Sequence, residues 1–133
     1  MKVTVDDWRL YSPYFRREEF ACPCCGVVAM NVEFMDGLFT MRQKMGRPFV
    51  INSGLRCHAH NASVGGAPRS AHLVGRAADI QVNDGEFLWH VIRLAERVNM
   101  TGIGISHGHQ FVHLDNQPDS AEGVYRPRAW TYA

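Results

Sequence analysis

Two spacings of apolar residues run along this chain. Over 31–45 (NVEFMDGLFTMRQKM), Met35, Leu38, Phe39 and Met45 recur near helical spacing with polar residues between them, which predicts an amphipathic helix. Asn31 can cap its start and Gly46 can stop it. A second helix is predicted over 85–99, with Asp84 as cap and Phe87, Leu88, Val91, Leu94, Ala95 and Val98 as the buried stripe. Strand spacing replaces helical spacing elsewhere. Residues 49–51 read as a short buried strand. Over 77–82 the chain alternates, with Ala78, Ile80 and Val82 on one face and Asp79 and Gln81 on the other. Residues 102–106 and 111–115 form a hairpin across His107-Gly108-His109-Gln110. The order helix, strand, loop, strand, helix, strand, strand predicts an α+β fold, a small antiparallel sheet with flanking helices.

The remaining segments are irregular. Residues 1–20 carry Trp8, Tyr11, Tyr14, Phe15 and Phe20 and read as an N-terminal wrap with a short helix over 16–20, broken by the Pro/Cys/Gly cluster at 22–26. Residues 52–76 are rich in Gly, Ser, His and Asn without periodicity. A long loop between core strands is a place to look for function. The tail, with Tyr125, Pro127, Trp130 and Tyr132, is expected to pack back on the domain.

Composition narrows the choices. At 133 residues the chain suits one domain, 1–133, with 1–26 as the wrap that holds the cysteine cluster and 27–133 as the core. Fourteen Lys and Arg against thirteen Asp and Glu leave no electrostatic reason to bind nucleic acid or an anionic membrane. No apolar run approaches membrane-spanning length. The opening MKVTVDDWRLYS has two acids and no apolar stretch, so no secretory signal is expected and synthesis is expected in the cytoplasm.

Candidate chemistry lies in two places. His72 and Asp79 are seven residues apart, where the loop enters the 77–82 strand. Period two then puts His113 and Asp115 on one face of the last strand and Val112 and Leu114 on the other. Two imidazoles and a carboxylate suit zinc and leave a fourth position for water. Spacing alone also allows the plainer reading of hydrogen-bonded polar residues on a strand.

These residues sit in a longer pattern. Ser53-Gly54-Leu55-Arg56, Asn61, Val64-Gly65-Gly66-Ala67, Ser70-Ala71-His72, Gly75, Ala77-Ala78-Asp79-Ile80 and Phe111-Val112-His113-Leu114-Asp115 together resemble the peptidase M15 family. These are zinc D-Ala-D-Ala carboxypeptidases and peptidoglycan endopeptidases, and the branch most similar is that of phage endolysins and small murein peptidases. The likeness runs from Phe15-Arg16-Arg17-Glu18-Glu19-Phe20 to Trp130. It implies the Hedgehog/D-Ala-D-Ala peptidase fold and one catalytic Zn2+ held by His72, Asp79 and His113. It also implies a monomer acting on peptidoglycan peptides outside the inner membrane, after a phage-type release. Arg56 would stabilise the oxyanion or hold a substrate carboxylate, the alternative being a loop-pinning salt bridge. Ser70 would contact substrate or brace the loop that presents His72. Gly65 and Gly66 would let the backbone approach the cleft, the alternative being an ordinary turn. Many members carry an acid three residues before the last ligand, and here that residue is Gln110. Asp115 is therefore the leading candidate for the general base, with orientation of a ligand as its other reading. His109 at the hairpin tip is expected to touch substrate, and it or His107 is an alternative base. A non-catalytic zinc module that binds cell-wall peptide is the rival to the peptidase.

The cysteines are weighed apart. Cys22-Pro23-Cys24-Cys25 holds a single C-x2-C, and only Cys57 lies elsewhere. A four-ligand site would then need a histidine, His58 or His60. The expectation is free thiols, with no second, structural ion at Cys22, Cys25 and Cys57.

Overall fold

The computed structural model describes residues 3–108, 110–120 and 123–132. After 3-10 turns at Trp8–Tyr11 and Arg17–Phe20, the order is α1 (Val32–Met45), β1 (Ile51–Ser53), α2 (His58–Ser63), a 3-10 turn at Ala71–Val74, β2 (Ala77–Gln81), α3 (Gly85–Arg97), β3 (Gly102–Ser106), β4 (Phe111–Asp115) and β5 (Arg128–Thr131). The fold is α+β. Five strands form one sheet in the order β1-β2-β4-β3-β5.

Local signals explain the helices. The Asn31 side chain accepts the Phe34 N–H at 2.9 Å, and Gly46 ends α1 in the left-handed conformation at φ +68. The Asp84 side chain accepts the Phe87 N–H at 2.7 Å to start α3. Phe34, Met35, Leu38 and Met41 of α1 and Phe87, Val91, Leu94 and Ala95 of α3 are buried in one core with Ala78, Ile80, Val112 and Leu114 of the sheet. Burying Val112 and Leu114 contributes about 1.5–3 kcal/mol each. That burial also fixes register, because a slip by one residue would turn the opposite face of β4 inward.

The structure departs from the sequence reading in four places. The first strand falls at Ile51–Ser53 and not 49–51, because Phe49 turns into the core while Ile51 and Ser53 pair with Ile80 and Asp79. The segment 52–76 is structured: Cys57 caps α2, and Ser70 caps the turn at Ala71–Val74. The sheet is antiparallel except at one edge, where β5 pairs parallel to β3. Asp79, read as lying away from the core, is buried all the same because the structured 52–76 segment covers its face of the sheet.

Candidate metal centre

The face of the sheet opposite the core carries the polar residues. Antiparallel register sets Asp79 of β2 directly across from His113 of β4, and Ala77 across from Asp115. Such cross-strand pairs hold side chains within contact. His72 arrives from the preceding turn. The Ser70 hydroxyl accepts the His72 N–H at 3.2 Å, and Gly75 closes the turn at φ +70, where a Cβ would overlap the Ala29 carbonyl. The turn thus points His72 inward, 2% exposed.

Three atoms converge. His72 Nε2 lies 3.1 Å from Asp79 Oδ1 and 3.2 Å from His113 Nδ1, and His113 Nδ1 lies 3.0 Å from Asp79 Oδ1. Zinc bonds of about 2.0–2.1 Å at tetrahedral angles separate ligand atoms by roughly 3.3 Å. The three edges fall just short of that, so the donor set fits one such ion.

The far side of each ring is occupied. His72 Nδ1 contacts the Gly54 carbonyl at 2.7 Å and must donate to it, which leaves Nε2 as the lone-pair atom. His113 Nε2 likewise donates to Asp115 Oδ2 at 2.7 Å, which leaves Nδ1 free to ligate. Arg56 Nη2 donates to the outer oxygen of Asp79 at 3.3 Å, turning Oδ1 toward the rings. Burial opposes ionisation of Asp79, but its contacts with the His113 and His72 rings outweigh it and hold the carboxyl well below the usual range. Burial also disfavours a charged His113, yet Asp115 and Asp79 together raise its pKa above the ordinary value.

The structure places Asp115 against His113 and Arg126. It is fully buried, and it accepts from Arg126 Nε at 3.0 Å, Arg126 Nη2 at 2.9 Å and the Gln117 N–H at 3.2 Å as well as from His113. It lies behind His113, away from the three converging atoms, with both oxygens engaged. Burial would raise its pKa, but the His113 and Arg126 hydrogen bonds hold it at about 2. A carboxylate so placed faces His113 Nε2 and Arg126, and it is not among the cleft's described lining residues.

The other expected residues sort as follows. Arg56 lines the cleft beside Asp79 and is also pinned to Asn61 Oδ1 at 3.3 Å, so it has the ion pair of its plainer reading without leaving the cleft. Ser70 braces the His72 turn and also lines the cleft. Gly65 and Gly66 form cleft wall. His109 lies outside the described residues. His107 is exposed at the hairpin turn, and Gln110 is exposed beside it at φ +54.

Around the cluster is an open cleft of about 540 Å³. Arg56, Arg69, Arg126 and Arg128 line it, and among the described lining residues Asp79 is the only carboxylate. Sequence reasoning missed the tail's contribution. Trp130 on β5 stands 5.3 Å from the His113 ring, and Arg126 and Arg128 lie over its indole at 5.1 and 5.5 Å. The signal was present as period two: Arg126, Arg128, Trp130 and Tyr132 share a parity. A second signal lay in β3, where Gly102 and Gly104 alternate with Ile103 and Ile105. A Cβ at Gly102 would overlap the Asp115 carboxylate, and one at Gly104 would meet the Trp130 indole.

A second cluster stands apart from the cleft. Cys22, Cys24, Cys25 and Cys57 bring their sulfurs within 4.8 Å of one another. The expectation that a site here would need His58 or His60 is overturned, because the turn places Cys24 beside Cys57 as the fourth sulfur donor.

A family model described as Peptidase M15 matches residues 13–115. No curated protein matches the chain.

Proposed function

The chain belongs to the peptidase M15 family, and on that premise we propose that it is a zinc-dependent peptidase hydrolysing peptide bonds of peptidoglycan stems or cross-links. The observation that carries this reading is the triangle of His72 Nε2, Asp79 Oδ1 and His113 Nδ1, each side chain fixed from behind by Gly54, Arg56 or Asp115. Zinc bound there supplies a Lewis acid and a water of lowered pKa.

The chain's own residues then have distinct tasks. Arg56, beside Asp79 at the cleft surface, binds a substrate carboxylate or the developing oxyanion. Arg69 and Arg128 add positive charge to the same wall, which favours the carboxylate terminus of a peptide stem. Trp130 covers one side of His113 and limits water there. Asp115 orients His113. Ser70 holds the His72 turn and offers its hydroxyl to the cleft. We further propose that the protein acts as a monomer on the cell wall, reached in the manner of a phage lysis enzyme. No helix among the described residues is long and apolar enough to cross a membrane.

A second reading rests on a specific observation. Gln110 stands where many relatives carry an acid, Asp115 is turned away, and Asp79 is the only carboxylate among the described lining residues. The same centre could therefore hold wall peptide without cutting it. Digestion of purified peptidoglycan separates the two. Amines released, abolished by a chelator and restored by zinc, establish the peptidase, and mass spectrometry of the fragments names the bond. Wall binding with no released amine establishes the binding module.

A further inference from the structure

The cysteine cluster has no part in the cleft chemistry. Three of its members lie on one tight turn. The Gly26 N–H donates to the Cys22 carbonyl at 2.8 Å, the Cys22 N–H donates to Val27 O at 2.9 Å, and Gly26 reverses the chain at φ +76. The fourth, Cys57, follows β1. Its backbone N–H donates to Cys22 Sγ at 3.4 Å, and the His60 N–H donates to Cys57 Sγ at 3.4 Å. Backbone donors aimed at sulfur stabilise thiolates in preference to thiols. Cys24 Sγ and Cys57 Sγ are 3.2 Å apart, well beyond the roughly 2.05 Å of a disulfide. All four sulfurs lie within 4.8 Å of one another, and zinc bonds to sulfur of about 2.3 Å would set tetrahedral ligands roughly 3.8 Å apart. Cys22 is buried while Cys24 and Cys25 are exposed, so the cluster has a fixed floor and an open side for metal entry.

We propose that Cys22, Cys24, Cys25 and Cys57 form a four-thiolate zinc site that fastens the N-terminal wrap to the wall of the cleft. Four soft donors in a compact group select zinc over harder cations. The position of Cys57 gives the site its consequence. Leu55 N–H donates to Phe20 O at 3.0 Å, Arg56 N–H donates to His72 O at 3.0 Å, and Gly54 accepts from His72. The ion would lock the segment that supplies both the Gly54 carbonyl behind His72 and the Arg56 guanidinium. Its binding free energy would add to folding stability.

The test is spectroscopic and independent of any activity. The protein is purified under reducing conditions, its metal is removed, and Co2+ is added as the probe. The intense sulfur-to-cobalt charge-transfer absorption of a thiolate site is expected, together with tetrahedral ligand-field bands. The His72/Asp79/His113 centre has no sulfur and contributes no such absorption, so His72→Ala is expected to keep it and Cys24→Ser or Cys57→Ser to weaken it, as one of the four sulfur ligands is lost. Should those serine variants misfold, the wild-type zinc protein answers alone: mercurial titration of its four thiols is expected to release about one zinc per chain. Cobalt binding without sulfur charge transfer would overturn the proposal. So would thiol titration that releases no zinc, or a Cys24–Cys57 disulfide in protein purified under reduction.

Discussion

Asp115→Asn separates the two roles this residue can be given. The substitution keeps the shape of the side chain and one acceptor oxygen but removes the charge. Arg126, whose side chain is 10% exposed, then faces a neutral amide, and the acceptor 2.7 Å from His113 Nε2 loses its charge or is replaced by NH2. Breaking a buried ion pair from one side costs about 3–5 kcal/mol. For a chain of this size that corresponds to a fall in Tm of roughly 10–20 °C, within what a domain of ordinary stability survives at low temperature. The loss of the hydrogen bond behind a metal-ligating imidazole weakens metal affinity by about 10–100-fold, or ~1.4–2.7 kcal/mol. The assay is a competition titration with a chromophoric chelator, following the zinc step that His72→Ala lacks, paired with thermal melts of the metal-free protein. Wild-type zinc affinity and wild-type Tm in a variant whose turnover has collapsed would refute the reasoning and restore Asp115 as the general base.

Further consequences follow from the same geometry. Gly102→Ala pushes a methyl into a carboxylate that Arg126 and His113 hold in place. It is expected to cost about 1–3 kcal/mol in urea unfolding and to weaken zinc binding, whereas Gly108→Ala, in open space at the hairpin turn, is expected to leave zinc affinity unchanged. Gly75→Ala combines a left-handed backbone with overlap on the Ala29 carbonyl, so a loss of about 2–5 kcal/mol in chemical denaturation is expected. Acidity opposes the metal. The raised pKa of His113 means that its Nδ1 proton must leave before zinc binds, so zinc affinity measured by titration should fall about tenfold per pH unit below that raised value. Without metal the sign reverses: protonated His113 stabilises the fold fully below its ordinary pKa, and melts should show that contribution vanish as pH rises through the raised value. The lowered Asp115 pKa contributes stability above its ordinary value near 3.8, and this should be lost as pH falls toward about 2.

Much of the fold was legible because it rests on local rules. The caps at Asn31 and Asp84, the stop at Gly46, and the alternation in Phe111-Val112-His113-Leu114-Asp115 all act within a few residues. The convergence of His72, Asp79 and His113 was readable only through spacing and family likeness, since their meeting depends on the pairing of β2 with β4. What stayed hidden was non-local. The parallel docking of β5 on β3, which carries Trp130 and Arg126 to the site, depends on the room left by Gly102 and Gly104 and not on any propensity of the tail. The cysteines misled for a similar reason: C-x-C-C does not look like a paired-knuckle motif, and only the fold brings Cys57 to it. The contacts of Asp115 were hidden too, because strand parity gives a side chain's face but not which partners take its oxygens.

The central claim is that His72, Asp79 and His113 hold one zinc ion. Crystals of the zinc-loaded protein, measured on both sides of the zinc absorption edge, test it most directly. The account predicts an anomalous peak within bonding distance of His72 Nε2, Asp79 Oδ1 and His113 Nδ1, with Asp115 still on Arg126. A zinc-replete crystal with no peak between those three atoms would contradict it.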